Sequence, residues 1–565
     1  MKEKITTIGL TTIITLILSW LIGLITNNLI IRSTVLVVLL IATIIVLLKK
    51  FKALLGAVTL SAGISVIVSL LVSTNLLGSI LVSGATLTIA LIMIIAISMV
   101  IAKGPKCCRA VAGMILIATI LTWILPITYY NYGIVEEARQ GAGIFDVLSY
   151  ATVTISYFGN ICLYILAIGG FYGVIQRIDA YRNLLDRIVK GFKGKENIFM
   201  IIIMVLFAVI TSVTGLSIGI LFLFPFVISI ILLMGYNKIT AVMTTAGSVL
   251  VGLIGSTYSY GNTSQISQIL SVKPTTEIIA KIIILAISLI ILIYNVLSYA
   301  KKHRDTKKIS KDPSYIPVTK DKKAKVWPLV VVVDIIILIM ILSYIPWSET
   351  FGLKIFTDAT NAVKEFKVFG FALPASILGT FQAFGAWTLT ELLITIVIGI
   401  TIIGLIYKVK TNDFLDNFVE GAKRAIKPAA IVALIYTVLI LVTYHPVMLT
   451  ILKPILTLTS GLNVFTMSLV AFISSVFNVE MAYAANSVLP YVLELISKSD
   501  VYPLIAIIWQ SMYGLAMLVA PTSVILLATL SFMHISYGEW LKAIWKLFVE
   551  LLIVLLIIFT IIFLI

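Results

Sequence analysis

Hydroxyl and amide side chains are concentrated in one stretch of a chain that is otherwise apolar over most of its length. Residues 255–265 read Gly-Ser-Thr-Tyr-Ser-Tyr-Gly-Asn-Thr-Ser-Gln. Backbone that stops being helical at membrane depth must be buried in protein or line a water-filled cavity. We therefore predict a substrate or ion site, with Ser256, Thr257, Ser259 and Asn262 as candidate ligands. The alternative is that these side chains only join neighbouring helices.

A second polar stretch, residues 474–487, contains a carboxylate. Glu480 is the only acidic residue in this stretch, and Asn478 and Asn486 lie near it. A charged side chain at the bilayer centre costs about 2.5–3.5 kcal/mol on insertion scales, so Glu480 is expected to face a cavity or a partner. It would act as a proton or cation site, or as the counter-charge of a cationic solute. The alternative is a protonated carboxyl that is hydrogen-bonded within the helix bundle.

Two further interruptions precede these stretches. Residues 211–219 combine hydroxyl groups with glycines, and residues 443–446 place a histidine before a proline. Such breaks free backbone carbonyls and helix N-termini, which can hold cations and anionic groups respectively. Histidine titrates near neutral pH, but beside a proline we favour a structural hydrogen bond over proton coupling. The candidate ligands in these breaks are Thr211, Ser212, Thr214 and His445.

The composition identifies the medium that surrounds these residues. Of the 565 residues, 61% are hydrophobic and 12% are charged, whereas a soluble domain has about 25% charged residues. Several apolar runs can cross a hydrocarbon core of about 30 Å. We predict an all-α polytopic integral membrane protein with about 13 to 15 membrane segments, some of them broken helices or re-entrant hairpins. A β-barrel would instead show alternating segments of about 10 residues.

The net charge is +17, and the distribution of the basic residues is typical of a membrane protein rather than of a nucleic-acid-binding protein. The basic residues cluster in short loops, which we place in the cytoplasm by the positive-inside rule. We place the mixed or acidic segments 130–147 and 347–367 outside. The N-terminus is predicted to be cytoplasmic, and the protein to reside in the cytoplasmic (plasma) membrane. The basic loops are residues 49–52, 103–109, 177–195, 299–325 and 408–427.

Two short patterns occur twice, in the same order. The pattern Leu-Asp-x-x-Val-x-Gly-x-Lys begins at Leu185 and Leu415, and the pattern Gly-x-Asn-x-x-Thr begins at Gly235 and Gly461. We infer two repeated halves, and interrupted apolar segments at corresponding places of an inverted repeat indicate a transporter site. The predicted organisation is extra transmembrane helices at 1–105, a first repeat at 106–300, a basic cytoplasmic linker at 301–326 and a second repeat at 327–565.

Several motifs in the last four fifths of the chain occur together. They include Leu-Thr-Trp-Ile-Leu-Pro at 121–126, Ile-Gly-Gly-Phe-Tyr-Gly-Val at 168–174 and Ala-Pro-Thr-Ser at 520–523. From about residue 110 to 565 the chain resembles the YfcC-like family of proposed basic amino-acid antiporters. That family lies in the ion transporter superfamily, near the aminobenzoyl-glutamate and dicarboxylate carriers. The resemblance implies a broken helix in the second half, with the candidate site residues Pro521 and Thr522.

Some polar positions depart from the pattern of this family. Ser259-Tyr260 stands where the family usually has Asn-Pro, and residues 480–483 stand where it has a serine-rich stretch. Neither the substrate nor the coupling ion is therefore carried over from the resemblance. The first 105 residues have no counterpart in it. We expect them to form a peripheral bundle or a dimer interface, so a homodimer is one expected assembly.

The expected function is secondary active transport of a small polar solute, most simply an amino acid or an organic acid, by symport or antiport. The coupling ion would be H⁺ or Na⁺, and neither a cofactor nor enzymatic activity is expected. The expected partners are the small-molecule substrate and the lipid bilayer. One alternative is a multipass membrane enzyme acting on lipid or glycan, with His445, Asn478 and Glu480 as acid–base groups. The other is a transport-inactive accessory membrane subunit.

Overall fold

Twenty α-helices and one β-hairpin make up the part of the chain that the structure describes. In the computed structural model, this part comprises residues 107–138, 140–304, 324–457, 463–496 and 498–564. The predicted N-terminal helices at 1–105, and most of the predicted basic linker, lie outside the described residues.

The first half of the described chain contains eight helices. A hairpin of β1 (Ile127–Tyr130) and β2 (Ile134–Glu137) follows the first of them, and a short 3-10 helix (Gly219–Leu223) precedes the fifth. The helices are α1 (Cys107–Ile124), α2 (Ile144–Ile175), α3 (Asp179–Gly191), α4 (Glu196–Thr214), α5 (Phe224–Leu233), α6 (Lys238–Ile254), α7 (Tyr260–Leu270) and α8 (Ile278–His303).

The second half contains twelve helices. Three short ones stand between its first two long helices, and a 3-10 helix (Ser499–Val501) precedes α18. The helices are α9 (Trp327–Tyr344), α10 (Trp347–Phe351), α11 (Ile355–Glu365), α12 (Leu373–Leu378), α13 (Leu389–Ile406), α14 (Thr411–Tyr444), α15 (Met448–Thr457), α16 (Val464–Phe477), α17 (Met481–Leu495), α18 (Tyr502–Met517), α19 (Val524–Phe532) and α20 (Tyr537–Leu564).

Eight of these helices are long and apolar enough to cross a membrane, namely α1, α2, α4, α8, α9, α13, α14 and α20. Shorter apolar helices lie between them. This confirms the predicted all-α polytopic class. It differs from the prediction in the basic stretches 177–195 and 408–427, which we expected to be loops. Helix α3 (Asp179–Gly191) occupies most of the first stretch. In the second stretch, α14 begins at Thr411 and continues into the apolar span, because lysine, arginine, glutamate and alanine are good helix formers.

The predicted interruptions are non-helical only in part. Residues 215–218, 255–259, 445–447 and 478–480 leave the helical conformation, whereas five predicted site residues lie within helices, namely Thr211, Ser212, Thr214, Asn262 and Asn486. The apolar run 198–234, too long for one crossing, divides where α4 ends at Gly215, whose φ of 75° lies in the left-handed region that glycine adopts readily. The backbone also leaves the helical conformation between α6 and α7 and between α16 and α17. Each of these breaks therefore exposes carbonyls and N–H groups that lack a partner within a helix.

The repeated Gly-x-Asn-x-x-Thr pattern marks the start of a helix in both halves. The side chain of Asn237 accepts a hydrogen bond from the backbone N–H of Thr240 at the start of α6. The side chain of Asn463 accepts from the N–H of Thr466 at the start of α16. Asparagine is among the preferred residues for this capping role. The pattern therefore positions the two helices that lead into the polar breaks; an inverted relation between the halves remains a prediction.

Helices α2 and α14 pack closely against each other through glycine. A methyl group on Gly173 would lie 2.7 Å from the Cα of Gly421, and one on Gly421 would lie 2.7 Å from the Cα of Gly173. Real side chains do not tolerate such distances to backbone, so only glycine permits this approach. This glycine pair therefore sets how closely α2 and α14 approach each other.

Candidate solute and ion site

The segment between α6 and α7, residues 255–259, is called the first break here. Hydroxyl groups join it to the end of α4. The Ser212 hydroxyl donates to the carbonyl of Gly255 at 2.5 Å and lies 3.0 Å from the Thr257 hydroxyl oxygen. The backbone N–H of Thr257 donates to the carbonyl of Ser212 at 2.9 Å. Ser212 and Thr257 are both buried. The structure thus brings together candidate ligands from two interruptions that are about 40 residues apart in sequence.

A glycine allows this approach of α4 and α6. A methyl group on Gly252 would lie 2.6 Å from the carbonyl oxygen of Ala208 and 2.9 Å from the Cβ of Thr211. The hydroxyls of Thr211 and Thr214 donate to backbone carbonyls of their own segment, those of Leu216 and Ile210. These two threonines therefore hold the end of α4, whereas Ser212 makes the contact to the break.

The segment between α16 and α17, residues 478–480, is called the second break. It carries Glu480, which directly precedes the first residue of α17. The hydroxyl of Tyr436, on α14, donates a hydrogen bond of 2.8 Å to Oε1 of Glu480. Asn478 is buried, and its side-chain amide donates to the carbonyl of Ser474 at 3.0 Å. A carboxylate can accept several hydrogen bonds, and one from Tyr436 leaves capacity for a proton, a cation or an amine.

Helix α18 contacts both breaks, and the sequence did not predict this. The side chain of Gln510 donates to the carbonyl of Ser256 at 2.8 Å, and the Ser511 hydroxyl donates to the carbonyl of Ile254 at 2.8 Å. One turn further along, the Tyr513 hydroxyl donates to the carbonyl of Val479 at 2.8 Å. The adjacent polar pair Gln-Ser in an apolar helix was the available signal for these residues.

Close packing of α18 against α6 fixes this arrangement. A methyl group on Gly514 would lie 2.8 Å from the Cα of Ile254. Every residue of α18 from Leu504 to Met517 is buried. Helix α18 therefore lies inside the protein, and its side chains bind carbonyls at the ends of α6 and α16 that the interrupted helices leave without helical partners.

The break between α18 and α19 also reaches the second polar stretch. The Thr522 hydroxyl donates to the carbonyl of Val476 near the end of α16 at 2.6 Å, and Thr522 is fully buried. Pro521 precedes it, and a proline cannot supply a backbone N–H for a helical hydrogen bond. The predicted broken helix at 521–522 is therefore present, and its threonine contacts the neighbourhood of Asn478 and Glu480.

Helices α7 and α17, which follow the two breaks, contact each other. The side-chain amide of Gln265 donates to Oδ1 of Asn486 at 3.0 Å. The predicted site residue Asn486 thus links the two polar stretches.

Two other predicted site residues lie in or next to the first break. Asn262 lies on α7. The hydroxyl of Ser256 donates to the carbonyl of Leu253.

Two buried serine hydroxyls at the starts of helices have no hydrogen-bond partner within the described residues. These are Ser259, at the start of α7, and Ser523, at the start of α19. An unpaired buried hydroxyl is costly. Both hydroxyls are therefore available to a bound solute, ion or water.

His445 lies apart from the other candidates. Its Nε2 is 2.8 Å from the hydroxyl of Tyr150 on α2, and it stands where α14 ends, beside the β-hairpin. The carbonyl of the adjacent Pro446 accepts from the backbone N–H of Thr128. His445 lies nine positions after Tyr436, which is about 13 Å along a helix. The histidine and Glu480 thus belong to different parts of the structure.

The breaks carry little formal charge. In the described parts of 211–219, 255–259, 443–447, 478–480 and 518–523, Glu480 is the sole carboxylate, and lysine and arginine do not occur. No group of three or more histidine, cysteine or acidic residues that could hold a metal occurs among the described residues. A cation at this site would be held mainly by carbonyl and hydroxyl oxygens, together with Glu480.

Known proteins resemble this chain over most of its length. The family DcuC, described as C4-dicarboxylate anaerobic carrier, matches residues 85–564. The protein named "Putative basic amino acid antiporter YfcC" of Escherichia coli (strain K12) is 22% identical over 399 residues, which cover 68% of this chain and 73% of that protein. The predicted resemblance to the YfcC-like proteins is confirmed.

The chain also resembles proteins of known structure. The crystal structure of the YdaH transporter of Alcanivorax borkumensis covers 80% of this chain and 97% of its own, at 12% sequence identity and a TM-score of 0.38.

Proposed function

Because the chain belongs to the C4-dicarboxylate anaerobic carrier family, we propose that it is an ion-coupled secondary transporter that moves a small polar solute by alternating access. Membership of a family of carriers supports transport. The observation that carries the mechanism is the position of α18, whose Gln510 and Tyr513 bind carbonyls of the two breaks. Movement of one break against α18 would open and close the site between the two halves.

The proposed substrate is an amino acid or an organic acid, and the residues of the breaks favour the amino acid. An amine would pair with Glu480, while the substrate carboxylate would bind unpaired N–H groups at the starts of interrupted helices. A dicarboxylate would need cationic partners to offset the loss of its hydration, and the described residues of the breaks contain neither lysine nor arginine. The name of the YfcC protein points to a basic amino acid for that relative.

The proposed coupling ion is H⁺ or Na⁺. A proton would bind Glu480, whereas Na⁺ would bind oxygen ligands near the breaks, where hydroxyls such as Ser212 and Thr257 are close together. We propose no cofactor beyond the coupling ion. We further propose that the protein lies in the cytoplasmic membrane with its N-terminus in the cytoplasm, and that a homodimer is one assembly it forms.

The enzyme alternative receives less support from the geometry. An enzyme would use His445 together with Asn478 and Glu480. His445, however, contacts Tyr150 just after the end of α14, whereas Glu480 is bound by Tyr436, nine positions earlier in the chain. General acid–base groups must reach the same reacting atoms within hydrogen-bond distance. The accessory-subunit alternative predicts binding or assembly without solute movement, so a transport assay separates it from our proposal.

The test is uptake by proteoliposomes containing the purified full-length protein. Ligands are first selected by thermal shift from basic and neutral amino acids and from mono- and dicarboxylates, with and without Na⁺, at two pH values. A ligand at 100 times its Kd stabilises a protein by about 2.7 kcal/mol. Labelled hits are then offered to vesicles with an imposed Na⁺ or pH gradient. We expect gradient-dependent accumulation of an amino acid.

The control is the same vesicles after an ionophore has collapsed the imposed gradient. Accumulation that is equal with and without the gradient would contradict ion coupling. Binding in the thermal-shift assay without any accumulation or exchange would favour the accessory subunit. Accumulation of a dicarboxylate alone would leave transport in place and overturn the proposed substrate class.

A further inference from the structure

The segment from Trp347 to Trp387 presents apolar side chains that nothing in the described chain covers. It contains α10, α11 and α12, and these three helices have no buried residue. Phe369 is 98% exposed, Phe371 76% and Ile377 73%. An exposed apolar surface of this kind marks an interaction site rather than a face in contact with water.

This segment is nevertheless folded. The rings of Trp347 and Phe356 lie 5.1 Å apart, those of Phe356 and Phe384 5.5 Å, and those of Phe384 and Trp387 4.9 Å. The backbone N–H of Gly385 donates to the carbonyl of Ser343 at the end of α9. The aromatic chain therefore holds the segment together against α9, and the exposed residues are those left outside this small core.

A tight turn displays the most exposed aromatic residue. Val368 and Phe371 exchange backbone hydrogen bonds of 2.8 and 3.0 Å across Phe369 and Gly370. Phe369 has a φ of 51°, a left-handed conformation that is uncommon for a bulky residue. Strain of this kind persists only where the surroundings impose it and is found preferentially at functional positions. The turn thus places a phenylalanine at the tip of a projecting loop.

Helix α11 has one apolar face and one polar face. Ile355, Ala359 and Val363 follow a helical spacing on one side, and Asn361 lies on the other. The exposed Phe366 follows directly after the last residue of the helix. Aromatic residues make up 9 of the 41 residues from 347 to 387. Amphipathic helices with aromatic residues on the apolar face lie in the plane of a membrane interface.

Chain connectivity places the segment at a membrane surface. It leaves the end of α9 and enters the start of α13, and both helices are membrane-spanning candidates with exposed apolar sides. Helices α9 and α13 have outward-facing residues such as Ile335 and Ile398, so the exposed apolar surface continues from the spans into the segment. This continuity favours lipid over a second copy of the chain as the occupant.

We propose that residues 347–387 form an interfacial anchor whose exposed apolar side chains, with Phe369 at the tip of the turn, insert into the boundary between lipid headgroups and acyl chains. The segment carries three acidic and three basic residues, so its formal charge is zero. Insertion is therefore driven by apolar burial and does not depend on anionic lipid.

The test places nitroxide labels on single cysteines of the full-length protein in lipid nanodiscs. Cys107, Cys108 and Cys162 are first replaced in a background that retains the elution profile and melting temperature of the wild type. Labels are placed at Phe369→Cys and Val363→Cys, and the matched control is Asn361→Cys on the opposite face of α11. Collision with oxygen reports the apolar phase, and collision with a water-soluble nickel chelate reports the aqueous phase.

We expect the ratio of oxygen to nickel accessibility to be several-fold higher at residues 369 and 363 than at 361. The ratios should be the same in nanodiscs of purely zwitterionic lipid and in nanodiscs with added anionic lipid. Equal, nickel-accessible labels at all three positions would place the segment in water and overturn the proposal. Labels shielded from both reagents, with spin–spin broadening, would show that a second copy covers the segment and would also overturn it.

Discussion

The hydroxyl of Tyr436 on α14 donates a hydrogen bond of 2.8 Å to Oε1 of Glu480, which precedes the first residue of α17. The ring of Tyr436 stacks on Phe158 of α2, with 4.1 Å between the ring centroids. The carboxylate is thus held by the closely packed α2–α14 pair, although it belongs to the second break. Tyr436 therefore connects the packing of α2 against α14 with the candidate site.

Replacement of the carboxylate by an amide tests the role of Glu480. Glu480→Gln keeps the shape and an acceptor for Tyr436 but removes the charge. A charged hydrogen-bonded contact is worth about 1.5–3 kcal/mol, so we expect uptake to fall about 10- to 100-fold and its dependence on pH to disappear. The measurement is initial uptake by proteoliposomes from pH 5 to 8.

The matched control is Glu494→Gln, an exposed position on the same helix, which should leave uptake unchanged. If Glu480→Gln transports like the wild type at every pH, Glu480 has no part in coupling.

His445 should matter for stability rather than for coupling. Replacement by alanine in His445→Ala removes the hydrogen bond to the half-buried Tyr150 hydroxyl, and a hydrogen bond of this kind contributes about 0.5–1.5 kcal/mol to stability. We expect a lower melting temperature and an unchanged shape of the pH profile of uptake, because His445 lies away from Glu480. A profile that flattens in His445→Ala, but not in Glu480→Gln, would reverse these assignments.

The contacts of α18 to the first break should be required for transport. Gln510→Leu and Ser511→Ala leave the carbonyls of Ser256 and Ile254 without these donors. The loss of about 1–3 kcal/mol at each carbonyl should lower uptake by about 5- to 100-fold, with folded protein still recovered. Thr529→Val is the control, since Thr529 only donates to Ile525 within α19. Equal uptake by all three variants would remove α18 from the mechanism.

Transport should require the hydroxyl of Thr522 rather than its methyl group. Thr522→Val is close in shape to the wild type but cannot donate to the carbonyl of Val476. We expect this variant to lose most uptake, and Thr522→Ser to restore it, because serine retains the donor. Melting temperatures in detergent separate loss of folding from loss of function. Full activity in Thr522→Val would show that the hydrogen bond is dispensable.

The glycine contact between α2 and α14 should limit stability. Gly173→Ala forces a methyl group against the backbone of Gly421, and overpacking of this kind costs about 1–3 kcal/mol or more. We expect a lower melting temperature in detergent. Gly191→Ala is the matched control, because nothing lies within 4 Å of a methyl group there and alanine favours a helix. A stable Gly173→Ala variant would show that the helices can separate without cost.

Part of the candidate site could be predicted from composition and local pattern. The polar breaks at 255–259 and 478–480 and the caps at Asn237 and Asn463 follow from residue types that interrupt or begin helices in an apolar chain. Family resemblance added Thr522. Gln510 and Ser511 were missed because a polar pair in an apolar helix does not reveal which distant carbonyls it binds.

The sequence by itself determined that the chain is an all-α membrane protein with interrupted helices, because hydropathy and helix-breaking residues act over short distances along the chain. Only the tertiary structure decided which interruptions meet. It joins Ser212 to Thr257 and Tyr436 to Glu480, leaves His445 with Tyr150, and places α18 against both breaks. These choices depend on helix packing through Gly173, Gly421 and Gly514, where close approach of backbones is a property of pairs of helices rather than of either sequence segment alone.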